Sequence, residues 1–400
     1  MEADYDITQE SSRVRRVEPS LIRTVLNRVD ELRKDGKEII ALSAGEPDFN
    51  TPYDIKAAAI QAILNNDTHY SSNRGYEKLR IKIGEKVLRE TKASYDYRSE
   101  ILVTSSGAEA INNTILALLD EGDEAIIFSP AFVNYENMVK ISGGVPVILP
   151  LKKENNFEID IEEVKKHITD KTKLLVINHP NNPTGAVYDR KVLEELCKLA
   201  VKNNFILLSD EMYGGLVYDG AEFQSIAAFP GMKEHGVIVN GFSKTYAMTG
   251  WRLGYILTGE KLMNGILKIH QYSTTCSPTF IQIGAAEGMD TEGTKREVVE
   301  MAEQFAKRRS YLLERLEQFD LFSYVIPQGA FYLMLDVSKT GMDGMEFAKR
   351  LLEEKQVAVI PAVGLGKHCK EFVRISFAAS FQSLETGMDR MWEFIQELPK

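Results

Sequence analysis

The chain has 400 residues, 44% of them hydrophobic and 26% charged, a composition of ordinary globular type whose length calls for a large folded unit and a smaller one. A formal net charge of −10 repels nucleic-acid phosphates and anionic lipid heads, so neither is expected as a partner. No run of about 18 apolar residues is present to span a membrane, and the polar start, Met1 to Arg16, lacks the apolar stretch of a secretion signal.

In chain order, short β-branched or apolar runs alternate with amphipathic stretches. Ile101–Thr104 reads as a strand and Glu109–Leu119 as the helix after it. Glu124–Phe128 and Val133–Ser142 repeat the pair, as do Val145–Leu149 with Ile161–Ile168, and Lys173–Asn178 with Arg190–Asn203. Strands Phe205–Ser209, Gly236–Asn240 and Leu253–Leu257 follow. This order predicts an α/β fold with a largely parallel sheet, spanning a large domain at residues 46–289. After about residue 290 the pattern becomes a long charged helix, Lys295–Phe319, and then weaker strands and helices. Residues 290–400, joined by 1–45, are expected to form a smaller α+β domain. Cys197, Cys276 and Cys369 are scattered, form no CxxC pair and suit a reducing compartment, so a cytoplasmic location is expected.

Four loops after predicted strands carry chemistry. Ser105-Ser106-Gly107-Ala108 opens a helix, where backbone N–H groups and the helix dipole favour an anion; read alone, it is an ordinary helix cap. Asn178-His179-Pro180-Asn181-Asn182-Pro183-Thr184-Gly185 is stiffened by two prolines and can hold an amide against a ligand, or serve only as a rigid turn. Asp210 closes the apolar run Phe205–Leu208 and is costly to bury without a cationic partner, unless it merely caps the next helix. The last loop, Gly241-Phe242-Ser243-Lys244, leads on to Arg252. Desolvation there would make the lysine nucleophilic enough for imine formation, and the arginine fork suits a phosphate. Together they match the needs of a pyridinium aldehyde phosphate: an amine, a carboxylate for its ring nitrogen, donors for its phenolic oxygen and a phosphate cup.

At these residues the chain resembles the fold-type I, class I pyridoxal-phosphate-dependent aminotransferases, in the group of bacterial aspartate and archaeal aromatic enzymes. The resemblance runs from about Val17 to Leu398 and is carried by SAGEPDFNTP at 43–52, NHPNNPTG at 178–185, SDEMY at 209–213, GFSKTYAMTGWRLGY at 241–255, PQGAFY at 327–332 and VRISFA at 373–378. It implies a ping-pong transfer of an amino group between an L-amino acid and a 2-oxo acid on pyridoxal 5'-phosphate, without a metal, in a homodimer. By the same resemblance Lys244 is the Schiff-base lysine and proton carrier, and Asp210 the partner of the ring nitrogen. Asn182 and Tyr213 are donors to the phenolic oxygen, and Phe132 the aromatic stacked on the ring. Ser106, Gly107 and Ala108 form the phosphate cradle, with Arg252. Arg374 and the Gly45 N–H grip the substrate carboxylate, while Tyr70 reaches the cofactor phosphate of the other subunit, making the active sites composite.

Two departures from the family pattern bear on function. Where many relatives carry a phosphate-binding serine three residues before the lysine, this chain has Gly241, so that side-chain contact is either missing or made by Ser243. The aspartate-specific bacterial group carries a lysine at the position of Ala108, so a neutral or aromatic substrate is expected. The alternatives are an aspartate-specific aminotransferase and a pyridoxal-phosphate-dependent β-lyase.

Overall fold

A computed structural model describes residues 10–398; the first nine residues of the Met1 to Arg16 segment, and their share of the expected small domain, lie outside the described residues. The alternating strands and helices fold as a seven-stranded sheet. Its order is Ile101–Thr104, Gly254–Leu257, Gly236–Gly241, Ile206–Asp210, Thr172–Asn178, Glu124–Ser129 and Val145–Pro150. Only Gly254–Leu257 runs against the rest. These strands read in the sequence as continuous apolar runs because both faces of the sheet are covered. On one face Leu102, Val176, Leu208, Val239 and Ile256 pack with Ile111 and Ile115 of the helix Gly107–Leu118. The other face presents Val103, Leu175, Leu207, Ile238 and Leu257 to Leu79, Ile83 and Val87 of the helix Glu77–Thr91 and to Leu193 and Leu196 of Arg190–Asn203.

The two-residue period of a strand then sorts the acids at the end of Ile206–Asp210. Asp210 falls on the side of Leu208, and Glu211 on the side of Leu207. The expected long helix is present as Glu292–Leu316, and beyond it lies an antiparallel sheet of Ile360–Pro361, Phe372–Ser376, Tyr332–Asp336 and Ser323–Tyr324. Near the N-terminus, Ile40–Ala41 pairs in parallel with Val357–Ala358, tying the start of the chain to its end. A second apolar cluster, with Phe305, Phe331, Leu333, Phe347 and Phe394, fills this part and takes in Met212 and Tyr213 from the large sheet's loops. Among the described residues, no helix is long and apolar enough to cross a membrane.

Candidate active site

The carboxyl ends of the parallel strands open on a cavity of about 460 Å³, the position where such sheets collect ligand-binding loops. It is lined by Gly45, Ser106, Gly107, Ala108, Phe132, Asn182, Asp210, Tyr213, Ser243, Lys244, Arg252 and Arg374, so every site residue expected from the sequence meets there except Tyr70. Tyr70 is 87% exposed and lies in a separate cleft beside His69, Cys276 and Phe280.

At the cavity floor Asp210 is buried. One carboxylate oxygen accepts from the Tyr135 hydroxyl at 2.7 Å, the other from the Met212 N–H at 3.1 Å. Burial nevertheless raises its pKa; these two bonds and the positive charge of Lys244 oppose the rise. A carboxylate so placed waits for a cationic or proton-bearing group. The Asn178 side chain ties it to the neighbouring loop, donating to the Asp210 carbonyl at 2.9 Å and accepting from the Asn182 N–H at 2.7 Å.

The Lys244 amine donates to the Gly45 carbonyl oxygen. Burial brings its pKa down to about 8, helped by Arg374 and Arg252 and resisted by Glu46 and Asp210. A fraction of the amine is therefore uncharged and nucleophilic near neutrality. The phenol of Tyr213 is fully buried, 3.0 Å from the Tyr332 hydroxyl, and burial holds its pKa well above the usual range, so it remains a proton donor. Arg374 is buried too: it donates to Asn182 Oδ1 at 3.1 Å and to the Ser43 carbonyl at 3.0 Å, with its guanidinium 4.4 Å from the centre of the Tyr332 ring. Its Nε has no partner among the described residues, an unmet donor in a pocket that would receive a carboxylate.

Opposite these groups the helix Gly107–Leu118 begins. Ser106, its cap, sits at φ 121°, ψ 163°, a strained conformation of the kind stored at ligand-binding turns. Arg252 stands at the rim, exposed, donating to the Thr249 carbonyl at 2.8 Å. Gly241 is a glycine for steric reasons: a Cβ there would lie 2.9 Å from the Leu253 carbonyl oxygen and 3.1 Å from the Met212 methyl. Any side chain there would be crowded by the adjoining backbone, while Ser243 is buried in the cavity lining.

These residues fit a flat, phosphate-bearing pyridinium. A floor carboxylate, a depressed amine, a helix N-terminus with an arginine, an aromatic wall at Phe132 and an arginine with a spare donor surround one space. Sequence reasoning missed Tyr135, which supports Asp210, and the apolar wall formed by Ile22 and Leu26 of the helix Leu21–Lys34. Tyr135 was visible only as a tyrosine three residues after Phe132. Tyr332 lay inside a recognised motif but without a role.

The family model for aminotransferase class I and II matches residues 37–390. An aspartate aminotransferase of Pyrococcus abyssi is 40% identical over 387 residues, covering 97% of this chain and 98% of that protein. The aromatic-amino-acid aminotransferase 2 of Thermococcus litoralis is 39% identical, with the same coverage of 97% and 98%. Among solved structures, an aromatic aminotransferase from Pyrococcus horikoshii superposes with a TM-score of 0.88 at 39% identity, over 92% of this chain and 99% of the other.

Proposed function

Because this chain belongs to the class I and II aminotransferases, and so moves amino groups between amino acids and 2-oxo acids with pyridoxal phosphate, we propose that Lys244, Asp210, Tyr213, Asn182 and Arg374 carry out this chemistry and that the preferred donor is a neutral or aromatic L-amino acid. When bound, pyridoxal phosphate supplies an aldehyde for the amino group and an electron sink for the bond that loses its proton. Lys244 Nζ takes the substrate's α-proton and returns it, because a buried amine with a pKa near 8 gains and loses a proton at small cost near neutrality. Asp210 holds the ring nitrogen in its protonated form, and Asn182 and Tyr213 donate to the phenolic oxygen. Ser106, Gly107, Ala108, Ser243 and Arg252 receive the phosphate, and Phe132 covers the ring. Arg374, with the Gly45 N–H, orients the α-carboxylate.

The observation that carries the specificity is the charge inventory of the lining. Its cations are Lys244, Arg252 and Arg374, and each already has a partner in this scheme. Ala108, Ile22, Leu26 and Phe132 leave an apolar wall for the side chain. Relatives named for aspartate and for aromatic amino acids stand at 40% and 39% identity, so identity does not choose between them. Half-reactions with a panel of amino acids test the proposal. Phenylalanine or tyrosine should outrun aspartate and glutamate, and Ala108→Lys should narrow the gap. Highest kcat/KM with aspartate refutes the specificity and leaves the family unaffected.

A homodimer with composite sites belongs to the same proposal. It is supported by the exposed Tyr70 and Tyr272, each 87% accessible, and by Tyr53, Ile60 and Leu64 on one helix, at 69%, 59% and 69%. Exposed apolar side chains grouped in this way mark an interface. The large domain at 46–289 and the small one at 1–45 and 290–400 are also proposed, supported by the pairing of Ile40–Ala41 with Val357–Ala358. Three free cysteines support a cytoplasmic location.

A further inference from the structure

The family reading gives Tyr332 no task, yet its surroundings are specific. Tyr332 begins the strand Tyr332–Asp336 and stands opposite Ser376, while Arg374 stands opposite Met334. Tyr332 and Arg374 are thus diagonal neighbours on one face of an antiparallel pair, within reach of each other's side chains. The guanidinium lies 4.4 Å from the ring centre, a cation over an aromatic face. At the other end of the ring, the hydroxyl is 3.0 Å from the Tyr213 hydroxyl. The space around it is closed: a Cβ on Gly45 would lie 2.9 Å from this oxygen. Gly45 in turn accepts from the Lys244 amine.

The direction of the bond between the two phenols follows from counting donors. Each hydroxyl has one proton. Tyr332 is 1% exposed, and among the described residues its oxygen bonds only to Tyr213. If Tyr213 were the donor, the Tyr332 proton would be buried without an acceptor, and the Tyr213 proton would be spent. The reverse arrangement satisfies both groups once a ligand oxygen is present in the cavity. Resting on the proposed role of Tyr213, we infer that Tyr332 is a positioning residue that donates its proton to Tyr213, reserves the Tyr213 proton for the cofactor's phenolic oxygen, and carries the Arg374 guanidinium on its ring. One side chain then sets both the donor that tunes the cofactor and the cation that receives the substrate carboxylate. A hydroxyl that accepts a bond becomes a better donor, so Tyr332 strengthens the Tyr213 bond to the phenolic oxygen.

The test is a spectrophotometric pH titration of the cofactor's visible band in the holoprotein. Donors to the phenolic oxygen favour the unprotonated chromophore, so weakening them raises the midpoint. Tyr332→Phe keeps the ring and leaves Lys244, Asp210, Glu46, Arg252 and Arg374 in place. It should raise the midpoint by about 0.2 to 0.5 unit, the share expected of a bond strengthened by its neighbour. Tyr213→Phe should raise it further, and adding Tyr332→Phe to Tyr213→Phe should move it no more. Affinity for a substrate-like monocarboxylate, an aromatic carboxylic acid without the amino group, should survive Tyr332→Phe and weaken in Tyr332→Leu, which removes the ring beneath Arg374. An unchanged midpoint in Tyr332→Phe overturns the inference, as does a shift that persists undiminished in the Tyr213→Phe background. Either result leaves the aminotransferase reading intact, provided the band still titrates and Lys244→Ala abolishes it. A holoprotein with no titrating band overturns the inference together with the proposed role of Tyr213, and leaves family membership untouched.

Discussion

Removing the Tyr135 hydroxyl isolates the support of one buried charge. Asp210 accepts two bonds, from Tyr135 at 2.7 Å and from the Met212 N–H at 3.1 Å, against a burial that already favours its neutral form. In Tyr135→Phe the apoprotein has an escape, because Asp210 can take up a proton. Pairing with a protonated ring nitrogen forfeits that escape, so the loss appears in cofactor binding more than in folding. A hydrogen bond to a charged group contributes about 1.5 to 3 kcal/mol, which corresponds to roughly 10- to 100-fold weaker binding of pyridoxal phosphate. The sign with pH follows from the raised pKa: protonated Asp210 cannot pair, so affinity falls as pH falls, and the fall begins at higher pH in the variant. Titration of apoprotein fluorescence with pyridoxal phosphate at several pH values measures this, with a urea melt of the apoprotein as a control on folding. An affinity within twofold of wild type, with the same pH profile, refutes the idea that Tyr135 holds the Asp210 charge.

Three further outcomes are expected. Borohydride should fix the cofactor to Lys244, and the rate of capture by apoprotein should rise with pH and level off above about 8, the pKa imposed by burial; a label on another lysine, or a rate still climbing near the ordinary lysine value of about 10, counts against it. Glu211, pushed up to about 7 by burial, binds its proton more tightly folded than unfolded. Its contribution is therefore complete below about pH 4 and is lost as pH rises through about 7, a loss of roughly 3 kcal/mol. Glu211→Gln should flatten that part of the apoprotein's stability curve in urea, and parallel curves would disprove it. Finally, Lys244→Ala and Tyr70→Ala chains, each poorly active, should regain activity when subunits exchange, because one site of each hybrid is intact. Lys244→Ala with Arg374→Ala should regain none; no recovery in the first pair after exchange is verified by mass spectrometry excludes Tyr70 from its partner's site.

The parts of the fold legible in the sequence are those where burial is complete. Ile101–Thr104 is buried at every residue and lies between turn-forming neighbours, so its bounds can be read directly. The strand expected at Phe205–Ser209 lies at Ile206–Asp210, because Phe205 is used in a turn that closes the preceding helix. Pairs such as Ser323–Tyr324 and Ile360–Pro361 are too short to show a period and exist only through their neighbours. In the site, residues with distinctive chemistry in rigid loops, Lys244, Asp210 and Asn182, were readable. Tyr135 and Tyr332 were not, since a buried tyrosine on a helix or strand reads as core until the atom that its hydroxyl meets is known. Tyr70 is in a third category: within one chain its ring meets solvent, and the task proposed for it requires a second copy.

Asp210 and Glu211 stand back to back across the sheet, and this constrains how the gene can change. One carboxylate looks into the cavity; the other accepts from Ser209 Oγ and the Ile226 N–H on the far side. Deleting or inserting a single codon between Ile206 and Asp210 would exchange their faces. A deletion would bring the longer acid to the cavity position, and an insertion would carry the shorter one to the position whose donors suit a glutamate. Substitutions in this strand are open to gradual exploration, whereas a length change of one residue is lethal to the site at once. A two-residue change would keep the faces and displace the acid along the strand by about 6.6 Å, out of reach of Tyr135.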